Sequence, residues 1–281
     1  MKFKAWEARK HIEAKYKTAL RKLGRFLLDL VSEDDSYEDI QEKLSDVQRS
    51  KPFSRWAQAT AQTFVTNTLE ENARTWRQAA QMSGQGEMIR QGLNREMEGP
   101  VGQRVNDLIK ENAKYIKSVP ESVREDLTRH VQSEAFQGSR TAYKTDDFKK
   151  MVGEMSNKHA KMISRTESAK AMSALTQARA EYTGHDWYIW HTSEDVRVRP
   201  SHKKMDKVLC RFSEPPAPEE LIGERSTLGH YNAGNCPNCR CYAEPVISWE
   251  DDITFPCKVY ANGAIQTMSK KRFKDEFGAI K

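Results

Sequence analysis

The sequence predicts an α+β protein: a predominantly helical N-terminal region, then a small α+β domain stapled around a cysteine-rich loop, then a C-terminal hairpin-helix tail. Three observations predict it. Apolar residues recur at three- and four-residue spacing through most of the chain up to Gly184, the stripe of an amphipathic helix. Beyond Gly184 the texture turns aromatic and rich in proline, glycine and cysteine. Near the C-terminus Asn262-Gly263 separates two β-prone runs, and that pair is preferred in a type I′ hairpin turn.

The first helix is expected over 4–31, where Ile12, Tyr16, Leu20, Leu23, Leu27 and Leu30 form one stripe and Glu33-Asp34-Asp35 ends it. A second follows near 36–49. A third spans roughly 53–81, opened by Pro52 at a first-turn position and carrying Phe53, Trp56, Phe64, Leu69 and Trp76. Ser83-Gly84-Gln85-Gly86 and Gly99-Pro100 read as breaks. Another helix should run from Val101 to Ser118 and stop at Val119-Pro120, with the next at 121–137 capped by Gly138. A short helix near Asp146–Glu154 precedes a long alanine-rich one from Asn157 to Tyr182, ended by Gly184. Trp187–Trp190 reads as a strand, 191–241 as irregular, and Tyr242–Ser248 as a strand. A hairpin over 253–268 and a basic helix near 269–277 close the chain. The corresponding segments are 1–100, 101–249 and 250–281.

At 281 residues the chain can bury one large core or two modest ones. Its 31% charged residues and mean hydropathy of −0.82 suit a helix-rich protein with much solvated surface. No run of about 18 apolar residues occurs, so no membrane span is expected. The N-terminus lacks an apolar h-region after its lysines, so export by the general pathway is not expected. The net charge is +6, yet residues 1–25 alone carry nine basic side chains against Glu7 and Glu13, a local excess of +7. The basicity therefore belongs to one segment, and Lys10, Lys17, Arg21, Lys22 and Arg25 are the candidate contacts to DNA or an acidic partner.

Three of the five cysteines fall in Cys236-Pro-Asn-Cys239-Arg-Cys241. A C-x2-C turn lets two thiolates reach one tetrahedral ion, and proline stiffens the turn. An odd, clustered set favours reduced thiols and a structural zinc over a disulfide framework. A further ligand must come from elsewhere: His202, Cys210 or His230. Neither H-E-x-x-H nor an H-x-E element accompanies the cluster, which argues against catalytic zinc. Glu167, in Arg165-Thr-Glu167, and Asp195 and His202, in Asp195-Val-Arg197-Val-Arg199-Pro-Ser-His202, could be gathered into an acid–base site. No nucleophile elbow or phosphate loop joins them. The favoured role for Arg165, Glu167, Asp195 and Arg197 is instead an ion-pair network tying helix to loop.

Four blocks in order resemble the phage head-morphogenesis (Mu F-like) family of minor head proteins. They are the helical stretch Leu108–Gly138, the Arg-Thr-Glu helix Ile163–Gly184, the tryptophan strand with its D-x-R-x-R-x-x-H signature, and the closing Cys236–Cys241 element. The family often has histidine at the position of Cys236, and both residue types ligate zinc. Many members have leucine and glycine where Met205 and Lys207 stand, and some place a cysteine at Arg199. The resemblance covers roughly 108–246. It implies a virion structural protein and not an enzyme, held in few copies inside the capsid after assembly in the host cytoplasm. It implies the phage portal protein, capsid or scaffolding proteins and DNA as partners, with roles in head morphogenesis and in DNA packaging or delivery, and no small-molecule substrate. With the cysteine spacing, it sets the expected zinc ligands as His202, Cys236, Cys239 and Cys241, with Cys210 and His230 as substitutes. The competing expectations are a metal-dependent hydrolase or transferase using Glu167, Asp195 and His202, and a DNA-binding protein acting through the basic helix.

Overall fold

The computed structural model describes residues 6–32, 34–83, 86–133 and 145–278. The fold is mixed α+β, and the chain divides into two compact units that interleave in sequence. One comprises Lys10–Thr66 and Asp107–Glu167; the other comprises Met1–Arg9, Asn67–Asn106 and Ser168–Lys281. The sequence reading set three consecutive segments instead. The division differs because three long helices each contribute residues to both units.

The first unit is helical. Helix α1, Lys10–Asp29, buries Ile12, Tyr16, Leu20, Leu23 and Leu27 along the expected stripe. It starts six residues later than the pattern suggested, because Trp6 leaves the helical path and packs edge-to-face on Trp76 in the other unit's core. Helix α2, Tyr37–Arg49, opens on a capping box between Ser36 and Asp39 that satisfies two first-turn donors. Helix α3 covers Lys51–Met82, and its Phe64 stacks on Tyr16 at 4.1 Å. Tyr16 also donates to Asn112 Oδ1 at 3.1 Å. Gly24 of α1 meets Ser156 so closely that an added Cβ would sit 2.9 Å from the serine Cβ.

Three boundaries differ from the periodicity. Helix α4, Gly86–Arg95, and a 3-10 turn, Glu96–Glu98, occupy the interval between the two breaks. Helix α5, Pro100–Val131, runs unbroken through Pro120. Proline forfeits one helical hydrogen bond, but Ile116, Val119, Val123 and Leu127 lie buried on either side of it and keep the axis together. The Gly138 cap lies outside the described residues. Helix α6, Thr145–Tyr182, is likewise one rod where two were expected. Nothing between Gly153 and Asn157 breaks it, since the Asn157 amide bonds back to the Gly153 carbonyl at 2.9 Å. Gly184, at φ +78°, ends it, and His185 N–H caps the Ala180 carbonyl at 2.7 Å.

The second unit is built on a five-stranded sheet in the order β3-β1-β2-β4-β5. Strand β1 is Trp187–His191. The stretch expected to be irregular contributes a short helix α7, Pro200–Met205, and strand β2, Val208–Arg211. Strand β2 was overlooked because it has four residues inside a loop-like composition, and its pairing to β1 and β4 is what makes it a strand. Strand β3, Tyr242–Pro245, is followed by helix α8, Trp249–Asp252. The expected hairpin is β4, Cys257–Ala261, and β5, Ala264–Met268, with positive φ at both Asn262 and Gly263. Helix α9, Lys270–Phe277, follows.

The strand period of two sends side chains to opposite faces. Tyr188 and Trp190 of β1 join Val208, Cys210 and Ala243 in the core that also holds the clustered thiols. Trp187 and Ile189 face the other way, with Leu209, Val259 and Phe273.

Candidate metal centre

The cysteine loop owes its shape to two left-handed residues. Asn238, at φ +56°, turns the chain inside Cys236-Pro-Asn-Cys239, and Cys239 N–H closes the turn on the Cys236 carbonyl at 3.0 Å. Gly234, at φ +91°, lies where an added Cβ would be 3.1 Å from both the Cys241 carbonyl oxygen and Ser173 Cβ, and 3.3 Å from the Ala169 carbonyl oxygen. Only glycine combines that backbone with so close an approach to α6. Ser173 then fastens the loop by donating to the Ala233 carbonyl at 2.6 Å.

Onto this loop α7 delivers His202, with Pro200 at its N-terminal turn. The donor atoms of His202, Cys239 and Cys241 all lie within 4.8 Å of one another, and all three residues are buried. His202 Nδ1 stands 3.5 Å from Cys239 Sγ and 3.4 Å from Cys241 Sγ. A tetrahedral zinc with bonds of about 2.3 Å to sulfur and about 2.0 Å to nitrogen would set those edges near 3.5 Å, so the donors fit such an ion. Cys236, expected as the fourth ligand, is not in this group of three: its sulfur accepts from Arg199 Nη1, and it acts with Cys239 on the His202 imidazole. Cys241 N–H also points at Cys239 Sγ, at 3.3 Å.

The far side of the imidazole is equally organised. His202 Nε2 is 2.9 Å from the Tyr231 hydroxyl, and that hydroxyl donates to Glu219 Oε1 at 2.6 Å. This chain leaves the Tyr231 oxygen as acceptor for Nε2–H, and Nδ1 is the nitrogen turned toward the sulfurs. A ligating histidine characteristically carries such a support on its second nitrogen. Electrostatics agree. The hydrogen bond with Cys241 and the imidazole of His202 hold the Cys239 thiol well below its ordinary range, against the effect of burial. Cys241, the donor in that pair, is pushed up by its bond to Cys239 and by burial. Burial pulls the imidazole down, but the sulfurs of Cys236 and Cys239 outweigh it and leave His202 pushed up to about 9. A thiolate paired with a proton is the arrangement a metal cation would replace.

The other expected residues fall as follows. Cys210 is buried in β2 with its thiol near Tyr188, outside the donor group. His230 is exposed and its Nδ1 sits 3.0 Å from the Pro215 carbonyl. Asp195 is held by Arg240 and lies 3.5 Å from Arg197. Arg165 and Glu167 belong to the helical unit, and Asp195 and Arg197 to the sheet-bearing one. There Glu167 is buried, and together with burial it raises the Tyr16 phenol. Lys10, Arg21, Lys22 and Arg25 are exposed on α1, with Lys17 half-buried.

Sequence reasoning missed the Tyr231–Glu219 support, the Arg199 and Arg240 clamps, and a buried fork on α6. In that fork Arg179 donates to both Glu96 oxygens at 2.6 Å and to Asn72 Oδ1. Glu96 stood in the unassigned interval between the two breaks, so nothing local linked it to α6.

Residues 121–244 match the family described as Phage Mu protein F like protein, and this supports a phage head-morphogenesis family. The matched stretch contains His202, Cys236, Cys239 and Cys241. A Haemophilus influenzae protein described as "Uncharacterized protein" is 29% identical over 177 residues, covering 63% of this chain and 37% of its own length. The chain thus spans little more than a third of that relative, whose description carries no role. No solved structure matches. No helix among the described residues is long and apolar enough to cross a membrane.

Proposed function

We propose that the chain is a minor structural protein of a phage head, acting at the portal vertex inside the procapsid in head morphogenesis and in DNA packaging or delivery. The observation that carries this is the coincidence of the Mu F-like match with the residues that build the donor cluster. Zinc held by His202, Cys236, Cys239 and Cys241 would clamp the 199–241 loops onto the sheet and α6, giving a rigid docking scaffold. Its role there is structural, joining loops that lie apart in the sequence. The exposed cations of α1 supply a contact to DNA or an acidic capsid surface.

The enzyme alternative needs Glu167, Asp195 and His202 as acid–base groups. Asp195 is engaged by Arg240 and Arg197, and both nitrogens of His202 are in use, which supports the structural role. Glu167→Gln separates the two: a loss of folding agrees with the scaffold, whereas intact folding with lost turnover would establish a hydrolase or transferase.

Two measurements test the proposal. Protein purified without chelator should contain close to one zinc per chain, lost in Cys239→Ser and Cys241→Ser but kept in Cys210→Ser. Substoichiometric metal in the parent protein would refute the zinc. The portal protein of the same phage should co-purify with it, and failure of the two to associate at any stage of assembly would refute the portal role.

A further inference from the structure

The sheet face turned away from the donor cluster is only partly covered. At the Trp187 end, Phe273 and Phe277 of α9 and Trp249 of α8 pack against it, with ring centroids 4.9, 5.0 and 5.9 Å from Trp187. Further along the same face Ile189, His191, Leu209, Tyr242 and Glu244 line a groove of about 730 Å³. Tyr242 stacks on His191 at 5.1 Å and 19°, which flattens the floor of the groove. Met82, 69% exposed, and Trp6 stand at its side. Strand β3, which carries Tyr242 and Glu244, is an edge strand, and edge strands are natural places for a second chain to dock.

The rim has one dominant sign. Glu194, Glu244, Asp251 and Asp252 face a single lysine, Lys207. His191 is hydrogen-bonded to Glu244, while Asp252 accepts from the Ile247 and Ser248 N–H groups and Asp251 from the Ser248 hydroxyl, neutral donors that leave the negative charge on the rim. Glu244 and Asp251 both add to the upward push that burial gives the Asp252 carboxyl, as a crowded negative site should. Such a rim repels phosphate and nucleic acid, and a wholly apolar partner would leave its carboxylates facing a dry surface.

We propose that this groove is a docking site for a lysine- or arginine-bearing amphipathic peptide segment of another protein. Its apolar side chains would seat on Ile189, Tyr242 and Met82, with its cations on Glu194 and Asp251. The proposal rests on the groove's own residues and is independent of the head-protein reading.

The test uses the full chain and short fluorescein-labelled peptides of equal length, read by fluorescence anisotropy. A leucine–lysine amphipathic peptide should bind saturably, whereas leucine–glutamate and lysine–serine peptides should not. Glu194→Lys with Asp251→Lys should weaken binding roughly tenfold or more. The same charge change placed remotely, Glu42→Lys with Glu125→Lys, should leave it unaltered. Met82→Ser, a change at an exposed position that spares the core, should weaken binding severalfold with an unchanged circular dichroism spectrum. The proposal is overturned by absence of binding, by equal loss in the groove and remote pairs, by tighter binding of leucine–glutamate, or by lysine–serine binding as well as leucine–lysine.

Discussion

Arg179 is fully buried, with a carboxylate fork on one side and an amide oxygen on the other. Removing one partner of such a pair strands a charge in a medium that cannot solvate it. Glu96→Gln or Arg179→Met should therefore destabilise the fold by about 3–5 kcal/mol, read as a lower urea midpoint with an unchanged slope. Gly234 makes a sharper steric demand. Gly234→Ala places a Cβ in a left-handed backbone against Cys241 and Ser173 and should cost about 1–2 kcal/mol or more. Metal content should fall with it, because the same backbone presents the thiols. His185 provides a pH signature. Burial lowers its pKa below the ordinary 6.5, with Thr183 opposing, so the folded protein prefers the neutral ring. The sign follows: this contribution is intact above the unfolded pKa and is lost as pH falls through the depressed folded value. Urea midpoints should decline on acidification below neutrality, and His185→Gln should flatten that decline.

At the scale of elements, packing overrode one local stop signal and joined two segments expected to be separate. Pro120 removes a donor, yet α5 continues because its buried stripe continues, and α6 runs on through 154–157 for the same reason. The β4–β5 hairpin is the opposite case, a local rule obeyed. Both turn residues have positive φ, which an alanine tolerates poorly, so Asn262→Ala with Gly263→Ala should cost about 1–2 kcal/mol per residue. Hydrogen exchange should show faster opening of Cys257–Met268 in that variant, and unchanged protection there would contradict the assigned turn. Strand β2 shows how weak a four-residue signal is, since it becomes a strand only between β1 and β4.

Across the whole molecule, the net charge of +6 is a local property. The face of α1 opposite its buried stripe holds exposed Lys10, Arg21, Lys22 and Arg25. If this face meets DNA, reversing Arg21, Lys22 and Arg25 to glutamate should weaken retention and flatten the dependence of log K on log salt by roughly 0.9 per lost phosphate contact. An unchanged slope would assign those cations to solvation or to a protein surface instead.

The sequence by itself determined the mixed fold class, the α1 stripe, the Asn-Gly hairpin and the presence of clustered sulfur donors. Each of these is a property of neighbours along the chain: periodicity, turn chemistry and ligand spacing act over a few residues. Only the tertiary structure decided that His202 turns its Nδ1 toward Cys239 and Cys241, that Tyr231 and Glu219 hold its other nitrogen, and that Glu96 finds Arg179. Those partners lie far apart in the chain. Their pairing follows from burial, which makes an unsatisfied polar group costly wherever its partner sits in the sequence.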